Sequence, residues 1–195
     1  MRAILFSAYA GFPMLNAKQD AIQKTKIAII GAGFGGLAMA IRLLQNQQQD
    51  FVILEKSNDV GGTWRENRYP GAACDVQSHM YSLSFAPKTD WTKRYAEGPE
   101  IFNYIQDITG KYKIKDYCKF NHDVTHVQYD ETRHVWILDF KNQPSIEAQF
   151  VVFASGPLHI PQIPAIKGIE KFKGKVGEFK HEVRQFEKSY DNQQA

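Results

Sequence analysis

The sequence is poor in cysteine, in net charge and in long apolar runs, and each shortage excludes a class of protein. Its two cysteines, Cys74 and Cys118, are too few and too far apart for a disulfide framework or a zinc site. A reducing, cytoplasmic compartment is therefore expected. The formal net charge is only +3 and the basic residues are scattered, which argues against nucleic acid as a partner. No apolar run approaches the roughly 20 residues of a membrane-spanning helix.

A strand, a glycine turn and a helix follow one another early in the chain. Residues 27–30 form a short apolar run typical of a buried parallel strand, and residues 37–44 carry apolar side chains at helical spacing. Between them, residues 31–36 read Gly-Ala-Gly-Phe-Gly-Gly, the G-x-G-x-x-G fingerprint of a dinucleotide-binding βαβ unit. The alternative is a glycine turn that merely packs.

Each glycine of this fingerprint has a physical purpose. Gly31 permits the tight turn, Gly33 lets the backbone approach a pyrophosphate, and Gly36 lets the helix and the strand pack closely. The N-terminus of the helix presents free N–H groups and partial positive charge to the phosphates. A second apolar run, residues 51–55, ends in Glu55, 24 residues after Gly31. At that distance an acidic residue is expected to meet the hydroxyl groups of a ribose.

The rest of the chain predicts an α/β fold with an antiparallel addition. Residues 57–90 have little periodicity but many aromatics, which argues for a functional loop packed against something large and flat. A helix is predicted for residues 98–110. Three runs then predict an antiparallel meander, and a buried strand returns the chain to the parallel sheet. These four strands are residues 117–120, 123–129, 135–140 and 148–154, with a hairpin connection at 130–134.

Three segments follow from this pattern. Residues 1–24 are expected to be an N-terminal extension, residues 25–160 a Rossmann-like dinucleotide-binding domain, and residues 161–195 a linker with a divergent, charged tail. The six histidines show no spacing typical of metal ligands, so no metal site is predicted.

The motifs of residues 26–175 together resemble the N-terminal part of the flavin-dependent Baeyer–Villiger monooxygenases, which are class B flavoprotein monooxygenases. The most specific match is residues 61–85, which contain Gly-Gly-Thr-Trp followed by Asn-Arg-Tyr-Pro-Gly-Ala-Ala-Cys-Asp. The family uses FAD, NADPH and molecular oxygen to insert an oxygen atom next to a carbonyl, or to oxidise a sulfur. A carbonyl or sulfide substrate is therefore implied.

The resemblance also implies roles for individual residues. The glycine fingerprint would hold the FAD pyrophosphate and Glu55 the ribose of its adenosine half. Thr63 and Trp64 would lie along the FAD towards its isoalloxazine ring. Asp75 would act near that ring, placing the nicotinamide and a catalytic arginine, and Val124 would offer backbone contacts to the adenine. The implied FAD-binding set is completed by Phe34, Lys56, Gly62 and Tyr81.

Simpler interpretations stand beside these roles. Trp64 and Tyr81 could be ordinary core aromatics, Asp75 could cap a local turn, and Val124 could be merely a strand residue. A nicotinamide-only dehydrogenase would also carry the glycine fingerprint, but it would not explain Gly-Gly-Thr-Trp followed by a meander. A different class B monooxygenase, acting on amines or sulfides, and a non-catalytic FAD-binding remnant remain open.

The sequence departs from the family after residue 172. The family motif Phe-x-Gly-x-x-x-His-x-x-x-Trp begins at Phe172, but Glu178 stands where the histidine should be and His181 comes three residues late. No second G-x-G-x-x-G follows. The expectation is a truncated or frame-shifted chain that lacks the NADPH site and is inactive alone. Such a chain should expose a sheet edge and an apolar face, and be poorly stable or associate.

Overall fold

A computed structural model describes residues 22–158, 160, 165, 167–171 and 173. In this part of the chain, six strands form one sheet in the order β3-β2-β1-β6-β5-β4. The strands are β1 (Gln23–Ile30), β2 (Phe51–Glu55), β3 (Cys118–Phe120), β4 (Val124–Asp130), β5 (Val135–Phe140) and β6 (Ile146–Phe153). The helices of four or more α-helical residues are α1 (Phe34–Gln45), α2 (Thr63–Glu66) and α3 (Gly98–Lys111).

The parallel half of the sheet forms where the sequence is continuously apolar. β1 lies between β2 and β6 and runs parallel to both, with Ile29 opposite Ile53 on one side and Val152 on the other. Every residue of β2 is buried, as expected for a strand covered on both faces. α1 packs on one face of β1 through Leu37 and Ile41, which are fully buried.

The antiparallel half is a meander made of β4, β5 and β6. β5 pairs antiparallel with both neighbours, and the predicted connection at residues 130–134 joins β4 to β5. The Asp130 carboxylate accepts hydrogen bonds from the backbone N–H groups of Thr132 and Arg133, each at 3.0 Å, and closes the turn. Arg133 also donates to the buried carboxylate of Glu147 on β6, which ties the hairpin to the sheet and lowers the pKa of Glu147.

The prediction that residues 117–120 begin the antiparallel meander is wrong. β3 covers Cys118–Phe120 and runs parallel to β2 at the opposite edge of the sheet, with Ile53 opposite Cys118. The physical reason is the crossover through α3. It carries the chain back along the sheet, so β3 starts at the same end of the sheet as β2 and runs parallel to it. A three-residue strand carries no pattern that tells its direction.

Several boundaries also differ from the predicted ones. β1 starts at Gln23, so the last two residues of the predicted extension belong to the sheet. The predicted end of α3 at Gly110 is one residue short of the observed Lys111. Residues 57–90 are irregular as predicted, apart from α2 and a single 3₁₀ turn at Ser78–Met80. Residues 1–21, 161–164 and 174–195 lie outside the described residues, and so do Glu178 and His181.

Four large apolar side chains at and beyond β6 are exposed. Phe150, Phe153, Leu158 and Ile160 expose 57%, 65%, 70% and 79% of their surface. The effect of these exposed side chains on stability and association stays a prediction. Among the described residues, no helix combines the length and the apolar character needed to cross a membrane.

Candidate functional site

A large open cavity lies at the carboxyl ends of β1, β2 and β6. Its volume is about 820 Å³, near the upper end of the ~300–1,000 Å³ typical of small-molecule sites. The carboxyl edge of a parallel sheet is where nucleotide ligands bind in doubly wound folds. The cavity walls come from the glycine turn, the segment after β2, the start of β4 and the segment after β6.

The glycine turn forms one wall, and two of its glycines are sterically required. Gly31 has a φ of +105°, and a Cβ there would lie 2.7 Å from the carbonyl oxygen of Ala154. A Cβ at Gly36 would lie 1.9 Å from the carbonyl oxygen of Gly31. α1 can therefore start directly against the end of β1, and its first N–H groups have no intrahelical partner. Within the described residues, no side chain caps the N-terminus of α1 at Gly33.

A second glycine pair abuts the first. The N–H of Gly61 donates to the carbonyl oxygen of Ala32 at 2.9 Å. Gly62 has a φ of +51°, and a Cβ there would lie 3.0 Å from the Cα of Gly33. The two glycine segments thus approach backbone to backbone, and both line the cavity. Gly61 itself lies against the ring of Phe102, where a Cβ would come within 2.7 Å, a requirement that the sequence did not indicate.

Glu55 holds the turn together at one end of the cavity. Its carboxylate oxygens accept hydrogen bonds from the backbone N–H of Ala32 at 2.7 Å and of Ser57 at 2.9 Å. The residue is only 6% exposed. Each carboxylate oxygen can accept a further hydrogen bond, so the group keeps capacity for a ligand hydroxyl at the cavity wall.

Aromatic side chains form a further part of the cavity wall. The indole N–H of Trp64 donates to the hydroxyl of Tyr81 at 3.0 Å, and the two rings meet edge to face with centroids 5.8 Å apart. Tyr81 in turn meets the ring of Phe34 edge to face at 5.3 Å. Burial raises the pKa of Tyr81, so its phenol stays protonated at neutral pH. These rings are both core aromatics and cavity wall, so the two interpretations of them are compatible.

The irregular segment between β2 and α3 is braced by α3. Tyr104 accepts a hydrogen bond from the N–H of Leu83 at 2.9 Å and donates to the carbonyl oxygen of Ala86 at 2.7 Å. Glu100 accepts from both the N–H and the hydroxyl of Thr92. The same helix therefore positions the loop that carries the aromatic wall.

Eleven of the twelve predicted FAD-binding residues line this cavity, and Gly36 lies behind it against Gly31. Asp75, also the predicted catalytic residue, is exposed at the wall, and Val124 is half-buried at the start of β4. Lys56 forms an ion pair with Glu66 at 4.0 Å. The eleven are Gly31, Gly33, Phe34, Glu55, Lys56, Gly62, Thr63, Trp64, Asp75, Tyr81 and Val124.

Other cavity residues were not predicted from the sequence. Asn67 and Tyr69 lie in the specific motif, and Ser155 and Gly156 follow β6. The Ala-Ser-Gly-Pro end of β6 was a usable signal, because parallel strands present their carboxyl ends at one edge. His122 could not be predicted from the sequence, because two tertiary contacts bring it to the cavity wall. One is the parallel pairing of β3 with β2, and the other is the hydrogen bond from the backbone N–H of His122 to the carbonyl oxygen of Glu55 at 2.9 Å.

Neither cysteine has the properties of a nucleophile. Cys74 is buried and its sulfur accepts a hydrogen bond from the N–H of Val76. Burial, followed by the negative charge of Glu55, raises the pKa of Cys118 to about 12. Both are free thiols.

The fold and the cavity are those of a dinucleotide-binding βαβ unit. The sequence model described as pyridine nucleotide-disulphide oxidoreductase matches residues 28–193. The chain therefore belongs to the pyridine nucleotide-disulphide oxidoreductase family.

Within that family, the similarity to Baeyer–Villiger monooxygenases is confirmed. A Baeyer–Villiger monooxygenase of Pseudomonas aeruginosa is 44% identical over 156 residues, which are 80% of this chain and 30% of that protein. A solved complex of OTEMO with FAD and NADP superimposes with a TM-score of 0.68 at 32% identity, over 77% of this chain and 29% of that one. A closed crystal structure of cyclohexanone monooxygenase gives 0.71 at 31% identity, over 79% and 30%.

These matches confirm the predicted α/β fold class, with Rossmann-like parallel strands and an antiparallel addition. The chain spans about 30% of the length of the relatives it matches.

Proposed function

We propose that this chain is the FAD-binding portion of an FAD- and NADPH-dependent monooxygenase of Baeyer–Villiger type. The observation that carries the proposal is the meeting of two glycine segments around one cavity of about 820 Å³, whose lining also includes a buried carboxylate and aromatic rings. That arrangement suits a long ligand that has a pyrophosphate in its middle, a ribose and a flat ring.

The cavity residues fit the parts of FAD. The N–H groups at the start of α1, from Gly33 onwards, would receive the pyrophosphate. Glu55, held by Ala32, would accept hydrogen bonds from the adenosine ribose, and the backbone of Val124 would face the adenine. Trp64, Tyr81 and Phe34 would lie along the flavin end, with Thr63 and Lys56 beside them.

Bound FAD would supply the activation of molecular oxygen. The residues of this chain would bind the FAD, orient it and shield its ring from water. The aromatic wall would exclude water from one side of the ring. Asp75, exposed at the cavity wall, would orient the nicotinamide of NADPH and a cationic catalytic group. The proposed substrate is a ketone or another carbonyl compound, with a sulfide as the second choice. The two free thiols support a cytoplasmic location.

A second candidate is a flavin-binding module without catalytic activity of its own. The observation that favours it is that the described cavity is built around one glycine fingerprint, residues 31–36, which would receive the pyrophosphate of one dinucleotide.

The test begins with purification without added flavin, followed by visible absorbance spectra during FAD titration. Uptake of FAD with a flavin spectrum supports the proposal, and no uptake would contradict it. Addition of NADPH then tests the second candidate. Bleaching of the flavin would exclude a module without catalytic activity, whereas an unchanged spectrum is expected both for that module and for an FAD-binding portion that spans about 30% of its relatives.

A matched pair of variants makes the test specific to the turn. In Gly33→Ala the added methyl has room, because the nearest atom would be the Cα of Gly62 at 3.6 Å, but it occupies the side on which the pyrophosphate would lie. FAD affinity should fall at least about tenfold, or about 1.4 kcal/mol, with an unchanged melting temperature. Gly110→Ala, on the exposed surface of α3 with no atom within 4 Å, should leave FAD affinity unchanged.

A further inference from the structure

Trp64 and Tyr81 are joined in a way that packing alone does not require. The indole N–H donates directly to the phenolic oxygen at 3.0 Å, and both side chains line the cavity. Tryptophan and tyrosine are the two side chains that lose one electron most readily at neutral pH, apart from a thiolate. Here one of each meets at the wall of a site that we assign to a redox cofactor.

Among the aromatic side chains, the surroundings of the pair define where an electron vacancy would stop. The next ring beyond Tyr81 is Phe34 at 5.3 Å, and a phenyl ring is far harder to oxidise. Beyond it lies Tyr104, whose hydroxyl donates to the carbonyl oxygen of Ala86. A peptide carbonyl is too weak a base to take the phenolic proton, so oxidation of Tyr104 is unfavourable. Tyr81, in contrast, faces the open cavity, where water can accept its proton.

We propose that Trp64 and Tyr81 form a one-electron redox pair in which an oxidant in the cavity takes an electron from Trp64 and Tyr81 replaces it. The pair would end such an oxidation on Tyr81 and so protect the cavity wall. With FAD as the cofactor of the proposed function, the oxidant is the photoexcited isoalloxazine ring. The pair itself does not depend on FAD, since any small one-electron oxidant that enters the cavity can start the reaction.

The two steps balance as follows. Trp64 loses one electron to the oxidant, which is reduced, and the indole becomes a radical cation. It keeps its N–H proton, because the phenol that accepts this hydrogen bond is too weak a base to take it. One electron then passes from Tyr81 to Trp64, which is restored, and the phenolic proton of Tyr81 leaves to cavity water. The product is a neutral tyrosyl radical. The raised pKa of Tyr81 keeps its phenol protonated before the reaction.

The decisive experiment uses the full chain without FAD and a radiolytically generated azide radical as the oxidant. The chain has three tryptophans, and Trp136 has its own tyrosine neighbour, Tyr129, at 5.1 Å. The W91F/W136F double variant therefore leaves Trp64 as the single source of a tryptophan radical. Transient absorption should show the tryptophan radical decaying as the tyrosyl radical appears, at a rate independent of protein concentration.

Removal of Tyr81 should abolish that first-order conversion. In the same background, Tyr81→Phe keeps the ring and its packing but removes the electron and proton donor, so the tryptophan radical should persist. Tyr95→Phe is the matched control, because Tyr95 is exposed and contacts Arg94 instead of the pair. An unchanged conversion in the Tyr81 variant, or no conversion in the parent, would overturn the proposal. Far-ultraviolet circular dichroism establishes that each variant is folded.

A second arm uses the protein loaded with FAD and follows the flavin fluorescence lifetime. Trp64→Phe should lengthen the lifetime, whereas Trp136→Phe should leave it unchanged. If the protein takes up FAD but Trp64→Phe has no effect, the photoexcited flavin is not the oxidant of the pair, and the proposed function stands. If it takes up no FAD, the proposed function fails and the azide experiment still decides on the pair.

Discussion

Two regions line the same cavity and are held in place in different ways. The glycine turn, residues 31–36, is shaped by close backbone contacts, both inside itself, where Gly36 approaches the carbonyl of Gly31, and outside itself, where Gly31 approaches the carbonyl of Ala154. The aromatic loop, residues 57–97, has little regular structure and is positioned by side chains of α3, above all Tyr104. A region shaped by close backbone contacts is destabilised when a single Cβ is added to it. A region braced from outside is destabilised when a side chain distant in sequence is removed.

The largest effect should come from breaking the turn. In Gly36→Ala the new Cβ would overlap the carbonyl oxygen of Gly31 at 1.9 Å, and neither backbone can move without separating α1 from β1. The free energy of unfolding should fall by about 3 kcal/mol or more, measured by urea denaturation. Gly110→Ala is the control within a helix, and it should raise stability by about 0.5–1 kcal/mol. Equal stability of the two variants would contradict the steric argument.

A smaller loss is expected at the point where the turn is tied to β2. In Glu55→Gln one of the two backbone N–H groups, of Ala32 or Ser57, meets an amide NH₂ instead of a carboxylate oxygen. We expect a loss of about 2 kcal/mol, since a buried donor is left without a partner. FAD affinity should fall as well. Glu97→Gln, at an exposed ion pair with Lys93, should change stability by less than about 0.5 kcal/mol.

The brace can be tested without touching the cavity. Tyr104→Phe removes the hydroxyl that bonds Leu83 and Ala86, and it should cost about 1–2 kcal/mol in thermal or urea unfolding. Limited proteolysis should then cut the aromatic loop faster than the turn. Tyr95→Phe, at an exposed ring, should lie within about 0.5 kcal/mol of the parent protein. Uniform cleavage of both regions would mean that α3 does not brace the loop selectively.

A further test concerns Cys118, on β3, which pairs with β2. Its pKa, raised from an ordinary 9.0 to about 12, makes the thiolate roughly a thousandfold rarer than in an unfolded chain near pH 8.5. In a Cys74→Ala background, iodoacetamide should therefore modify the folded protein slowly and the urea-unfolded protein fast. Because the folded state binds this proton more tightly, the thiol's contribution to stability should be lost as pH rises from about 9 to about 12. Rapid alkylation of the folded chain would mean that β3 separates from β2.

Much of the turn could be predicted because its determinants are local. The bounds of β2 and the position of Glu55 follow from an apolar run and a fixed spacing. The braces of the aromatic loop could not be predicted, because nothing near Leu83 in the sequence indicates that its N–H needs the hydroxyl of Tyr104. The predicted direction of β3 was wrong for a related reason. The crossover through α3 determines that direction, and a strand of three residues carries no sequence pattern that indicates it.

By itself, the sequence determined the strand–turn–helix unit and the class of ligand that it suits, because the close contact of Gly36 with Gly31 acts over a few residues. Only the tertiary structure decided which strands meet. It placed β6 beside β1, and so brought Ser155 and Gly156 to the cavity, and it placed β3 beside β2, and so added His122. Backbone hydrogen bonds between strands are chemically the same for every partner. The choice between partners therefore depends on how the helices and the packed core fit together, which no single stretch of residues encodes.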